Sequence, residues 1–283
     1  MRMLCLLFFY VLFSSICLAG STDDREGMSL AESSTYIFGV VPQFEQRKLF
    51  RIWRPILTEL ERITGFHFVL KGSSKIPAFE DRFMAGGFDL AYMNPYHLVI
   101  ASDSQGYLPL VRDGAKKLNG ILVVHRDSGI NTVEDLRGQV IAFPSPNALG
   151  ASLLMRDELK TKFNLDFSTK YVQTHSSVYL HVVKDLVSAG GGVARTLYSQ
   201  KELIQRRLKV IYKTREISPH PIAVHPRVPI AHQQRIQQAL LGIAENERGR
   251  KLFSEVPIAK ITTASMDDYK NIMGWGLEHL YVP

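Results

Sequence analysis

From Thr35 onward the chain repeats one pattern, and that pattern fixes the fold class. Short β-branched and aromatic runs alternate with stretches whose apolar residues fall three and four apart. Tyr36–Val41 reads as a strand ended by Pro42, followed by a helix to about Ile63 that buries Leu49, Trp53, Ile56, Leu57 and Leu60. Pro55 is expected to kink that helix and Gly65 to stop it. Further strands are expected at 66–70, 88–93, 107–111, 120–125, 139–143, 169–173, 191–194, 209–213 and 222–225. Helices are expected at 79–84, from Leu149 through Phe163, at 230–245 and at 266–280. Such alternation predicts an α/β protein of mostly parallel sheets flanked by helices, and 283 residues are enough for two such units.

In open α/β sheets, ligands sit beyond the carboxyl ends of the strands. Here those ends are chemically unusual. They carry Pro42-Gln43, then Tyr92-Met93-Asn94-Pro95-Tyr96-His97, then Pro144–Ser152, then Thr174–Tyr179, and a Gly190-Gly191-Gly192 run. The stretch Phe143-Pro-Ser-Pro-Asn-Ala-Leu-Gly-Ala-Ser152 turns a strand into a helix start. Ser145 or Asn147 suits an N-cap, and the N–H groups after it would point outward with partial positive charge. That is the geometry of an anion site. Small residues, donors and aromatics recur at these ends, whereas acid pairs and nucleophile–base dyads do not. A binding cleft fits better than a catalytic one, and no enzyme activity is expected.

The N-terminus sets the compartment. Met1–Ala19 has one basic residue, an apolar run from Leu4 to Ile16, and small residues before a cut at Gly20. It reads as a secretory signal peptide leading to the periplasm; a lipid anchor on Cys17 is the competing reading. Residues 20–34 are a polar lead-in. Both cysteines, Cys5 and Cys17, fall in the leader, so the mature chain has no thiol, and neither a zinc pattern nor another cofactor motif is present. The chain carries 34 Lys and Arg against 27 Asp and Glu, a net +7 that suits anionic ligands. These charges are scattered without interleaved aromatics, which argues against nucleic acid.

Phe38-Gly39-Val40-Val41, the helix with Trp53 and Pro55, Phe88-Asp89-Leu90-Ala91-Tyr92, Val133–Gly138, Pro146-Asn147 and Thr174-His175 follow one another in a familiar order. The sequence resembles the phosphate/phosphite/phosphonate substrate-binding proteins of ABC transporters, within the type 2 periplasmic binding-protein fold. The resemblance spans about Thr35 to the C-terminus. It implies two hinged lobes, 35–118 with 224–283 and 119–223, closing on one small oxyanion for delivery to a membrane permease. The protein is expected to be a monomer, and presenting its ligand to a membrane sensor is the alternative to delivery. The resemblance makes the Asp135-Leu136 stretch a structural turn of the second lobe and maps the anion-binding turn onto Ser145, Asn147, Ala148, Leu149, Gly150, Ala151 and Ser152. It also implies an aromatic wall at Tyr92 and a ligand-facing His175.

Around that core, Gln43, Met93, Asn94, Ser176 and Ser177 complete the expected ligand set. The turn is poor in Ser and Thr, so it offers mainly backbone amides. No carboxylate stands at Ser176 or Ser188 to receive an amine, which disfavours aminoalkyl phosphonates. Arg195, after the glycine run, could reach an anion bidentately, but a surface ion pair is the expected reading, and His220-Pro221 is expected as a stiffened hinge turn.

Overall fold

The structure is a computed structural model that describes residues 34–256 and 258–282. The leader, the lipid-anchor cysteine and most of the lead-in therefore lie outside the described residues. The chain opens with β1 (Thr35–Val40), α1 (Gln46–Thr64), β2 (His67–Lys71), α2 (Ile76–Met84) and β3 (Leu90–Tyr92). It continues through α3 (Pro95–Gln105), β4 (Leu108–Asp113), β5 (Gly120–His125) and β6 (Val140–Phe143). A π-helical turn, Leu149–Leu153, runs directly into α4 (Leu154–Thr161), followed by β7 (Ser168–Tyr171), α5 (His175–Val183) and β8 (Ala189–Val193). Then come α6 (Ala194–Tyr198), α7 (Glu202–Arg207), β9 (Leu208–Lys213), β10 (Ile222–Val224) and α8 (Ile230–Ile243). The described chain closes with α9 (Glu247–Glu255), β11 (Ile261–Thr263) and α10 (Lys270–Met273). Among the described residues, no helix is long and apolar enough to cross a membrane.

Two sheets organise these elements. The first has the order β11-β4-β10-β3-β1-β2, and the second β7-β6-β8-β5-β9. Each is mixed. The expected parallel pairing holds for β1 with β2 and β3, and for β6 with β7 and β8. β10 and β5 run antiparallel to their neighbours, because the chain enters each of these strands directly from the other sheet and not through a crossover helix. β10 already belongs to the first sheet at Ile222, so the return crossing precedes the expected boundary at 223. Where the two crossings pass, Leu118 and Ile217 exchange both backbone hydrogen bonds at 2.8 Å.

Strand β5 shows why an unbroken apolar run was legible as a central strand. Ile121 and Val123 pack with Val178, Tyr179 and Val182 of α5, while Leu122 and Val124 pack on the other face with Met155 and Leu159 of α4. Both faces are buried, so no alternation remains. α1 buries the expected stripe and ends at Gly65 in the left-handed region, φ 71°. It is one continuous helix across Pro55.

Three expectations change. The helix expected at 79–84 starts earlier, at Ile76, with Pro77 in its first turn. The expected final helix, 266–280, is broken around Gly274 and Gly276, the latter at φ 65°. Gly190–Gly192 is not a strand end but the interior of β8. A Cβ on Gly191 would lie 2.1 Å from the Ala151 carbonyl oxygen, and one on Gly192 2.2 Å from the Tyr179 hydroxyl. The glycines let a helix-bearing layer on each face press directly on the strand.

Candidate functional site

A small cavity lies where the two sheets' strand ends meet. Val41, Gln43, Ile76 and Asn94 close it from the first sheet, and Ala148–Ala151, His175 and Val193 from the second. Leu118 and His220, both on the crossing segments, complete the wall. About 20 Å³ is open to the centre of a water-sized sphere, room for roughly one water. Among the described residues, no Asp, Glu, Lys or Arg lines it.

Helix starts supply the polarity instead. Ile76 opens α2, Asn94 caps α3, Leu149 opens the π turn that becomes α4, and His175 opens α5. All four residues line the same cavity. Unpaired amides at a helix start carry about half a positive charge between them, so four starts give an electropositive hollow without a charged side chain. At the π turn, the first backbone bonds run from Ser152 and Leu153 back to the Ala148 carbonyl, at 2.7 and 3.2 Å. Among the described residues, the amides of Leu149, Gly150 and Ala151 have no acceptor. The turn can sit this deep because Gly120 beneath it has no side chain: a Cβ there would be 1.9 Å from the Gly150 carbonyl oxygen.

Two histidines face this hollow. His175 is buried, its Nδ1 has no partner, and burial pulls its pKa down to about 4. His175 is therefore a neutral imidazole near pH 7. His220, read from sequence as a hinge turn, is also a wall of the cavity. Its Nε2 accepts from the Gln43 side-chain amide at 2.9 Å, and its ring stacks on Tyr92 at 5.3 Å. Burial first, and then the nearby Arg195, hold its pKa well below the ordinary histidine range.

Of the expected ligand set, Gln43, Asn94, Ala148, Leu149, Gly150, Ala151 and His175 come together here. The other seven are placed elsewhere. The Tyr92 ring lies behind the wall between Trp53 and His220, and Met93 is core. The Ser145 hydroxyl is buried without a partner, but Ser145 does not line the cavity. Asn147 is not an N-cap; its side chain bonds Glu80 and both backbone groups of Val282. Ser152 accepts from the Arg156 Nε at 3.2 Å. Ser176 accepts from Gln200, and the Ser177 amide and hydroxyl both meet the Thr174 cap. His175 and the 148–151 turn are also not opposite walls: β6 and β7, which deliver them, are neighbouring parallel strands, so the two stand side by side. The wall facing them comes from the first sheet.

Comparison with known proteins agrees with this architecture. Residues 38–269 match the family model described as ABC transporter, phosphonate, periplasmic substrate-binding protein. The chain belongs to that family. The family is a substrate-binding component of transport, not an enzyme. The chain is similar to the Prochlorococcus marinus PhnD1 structure in complex with methylphosphonate, with a TM-score of 0.80 and 14% identity over 88% of this chain and all (100%) of that one. It is similar to a binding protein component of a Pseudomonas aeruginosa ABC phosphonate transporter, with a TM-score of 0.78 and 17% identity over 86% and 85% of the two chains. A Xanthomonas citri protein bound to ATP is similar with a TM-score of 0.67 and 15% identity over 88% and 98%. These likenesses share the type 2 periplasmic binding-protein fold, two mixed sheets flanked by helices.

Proposed function

We propose that this family member captures a small phosphorus oxyanion, such as phosphite or methylphosphonate, between two lobes and presents it to a membrane permease from the periplasm. In this reading Met1–Ala19 is the cleaved export signal, residues 34–118 with 222–282 form one lobe, and 119–221 form the other. Leu118 and Ile217 sit at the hinge.

The observation that supports it is the convergence of four helix starts on one uncharged cavity, with the Leu149, Gly150 and Ala151 amides lacking acceptors. An oxyanion accepting those amides forms charge-assisted hydrogen bonds, each worth about 1.5–3 kcal/mol net in a site shielded from water. Gln43 and Asn94 add side-chain amides from the opposite lobe. Neutral His175 offers one N–H donor, and an arriving anion stabilises its protonated form. Because the cavity has space for little more than one water, the lobes part to admit a tetrahedral anion and close again around it. That motion is what a permease reads.

The test is isothermal titration of the mature protein with phosphate, phosphite and methylphosphonate, alongside thermal unfolding. One of them should stabilise the protein by about 4 kcal/mol at a thousandfold excess over its Kd. A response to uncharged or cationic solutes alone refutes the oxyanion reading and leaves the fold standing.

A further inference from the structure

Arg195 sits at the β8–α6 corner of the second sheet, beside the cavity, and its donors are only half used. Nη1 donates to the Tyr92 hydroxyl of the first sheet at 2.8 Å. Nε and Nη2, the two donors on one edge of the guanidinium, are both buried and have no acceptor among the described residues. The surface ion pair expected from sequence is not formed: among the described residues, no carboxylate pairs with Arg195. Leaving two charge-bearing donors dry and unbonded is costly, and a side chain held that way by a neighbour's hydroxyl is preset for an acceptor it does not yet have.

The surroundings show what kind of acceptor. Arg195 and His220 line a second hollow of about 520 Å³ that shares Leu118 and His220 with the small cavity. Lys48, Lys116 and Lys117 stand around this wider cleft against only Asp113 and Glu255. Asp113 spends one carboxylate oxygen on the Ala115 and Lys260 amides. The cleft is therefore a positive approach to a small cavity whose described lining carries no charged residue, and Arg195, which lines the cleft, lies near His220, a wall that the two hollows share.

We propose that Arg195 is the specificity-determining cation of this binding site: its Nε–Nη2 edge takes two oxygens of the ligand's oxyanion while Nη1 stays on Tyr92. This rests on the oxyanion reading above and adds the group that neutralises the ligand. The fork geometry selects phosphonate, phosphite and carboxylate heads over halides and single-oxygen acceptors. Helix-start amides fix position; Arg195 supplies the charge.

Phosphite and methylphosphonate are titrated calorimetrically into the wild-type protein and into Arg195→Gln, Arg195→Lys and Tyr92→Phe. Arg195→Gln should weaken the bound probe at least 50-fold. Arg195→Lys should weaken it about tenfold, because an ammonium keeps the charge and loses the fork. Tyr92→Phe, which removes only the inter-sheet bond, should cost less than about fivefold. If Arg195→Gln binds within threefold of wild type, Arg195 does not touch the ligand. If Tyr92→Phe loses as much as Arg195→Gln, Arg195 acts as a latch between lobes and the proposal is overturned. A wild-type protein that binds neither probe overturns the oxyanion reading itself, and this inference with it.

Discussion

Asn147 and Val282, 135 residues apart, hold each other by two hydrogen bonds: Asn147 Nδ2 donates to the Val282 carbonyl at 2.6 Å, and the Val282 amide donates to Asn147 Oδ1 at 2.9 Å. The same Asn147 amide group also reaches Glu80 Oε2 at 3.1 Å, and Glu80 Oε1 lies 2.8 Å from His97 Nε2. One side chain beside the 148–151 turn is thus tied to the C-terminal segment and to a buried carboxylate on α2. A residue that sequence suggests as a ligand donor instead sets where the turn stands.

Asn147→Ala should therefore lower stability by about 2–4 kcal/mol, since it deletes three bonds and leaves one oxygen of a buried carboxylate unpaired. Urea unfolding at pH 7 measures it. Asn147→Asp should be worse at neutral pH and recover on acidification, because it sets a second carboxylate against Glu80. A loss below 0.5 kcal/mol for Asn147→Ala would show that the clamp contributes nothing.

The pH dependence of stability has a definite sign. His175 has its pKa lowered from 6.5 to about 4 by burial, so between those values the unfolded chain binds a proton that the folded one does not. Stability is full above the unfolded value and falls as the pH drops toward 4. For this one group the loss at pH 5 is roughly 2 kcal/mol, and His220, also depressed, adds to it. Chemical denaturation of wild type and His175→Gln at pH 7 and pH 5 isolates the His175 share. The variant should lose less on acidification by roughly that amount; equal losses in both proteins would refute the assignment.

Glycine positions give a contrast that needs no ligand. Gly120→Ala would put a Cβ 1.9 Å from the Gly150 carbonyl oxygen, and Gly191→Ala 2.1 Å from that of Ala151. Both obstacles are backbone, so the π turn must lift off the sheet, at a cost of about 1–3 kcal/mol or more. Either change should also weaken oxyanion binding, because the amides move with the turn. Gly242→Ala, in α8 with nothing within 4 Å, should instead stabilise by about 0.5–1 kcal/mol. Thermal unfolding of the three variants checks the order, and a tolerant Gly120→Ala would mean the turn is not seated by that contact.

What sequence reveals here, and what it hides, follows from how local each cause is. β1 and β5 are legible because strands buried against neighbours keep β-branched apolar runs, and Gly65 is legible because a left-handed helix end favours glycine. Gln43, Asn94, the 148–151 turn and His175 could be grouped from sequence because strand ends converge in this architecture, and they line one cavity. Asn94-Pro95 reads as a turn, yet it starts the eleven-residue helix α3, with Asn94 Oδ1 accepting from the His97 amide at 2.8 Å. The cap-and-proline signal was present and is diagnostic. Ser145, Asn147 and Ser152 look like ligand donors because polarity at a helix entrance is the same whether it meets a ligand or Glu80, Val282 and Arg156. His220 is invisible as a cavity residue: it reaches the wall through a crossing between sheets, with no spacing in the chain to announce it, whereas Arg195 stands after the glycine run as an anion-ligand candidate whose burial the sequence does not show.

Ile76 is expected to limit the size of what the cavity holds. Its side chain is buried against Ala148, Ala151 and Val193, so an apolar first-sheet residue covers the amides of the second-sheet turn. That contact narrows the cavity, and on the proposed oxyanion reading it should limit any substituent the ligand carries. Ile76→Ala opens the hollow on the side facing the turn while keeping every backbone donor. The stability cost should sit near the low end for an Ile→Ala change, about 2 kcal/mol, because the side chain already borders a void. Affinity should shift in a ligand-dependent way: a larger head such as methylphosphonate should gain about tenfold relative to phosphite, the scale at which one methyl group is discriminated in an apolar pocket. Calorimetric Kd values for both anions in both proteins give the ratio. If the substitution weakens phosphite and methylphosphonate by the same factor, Ile76 contributes packing alone and size is read elsewhere.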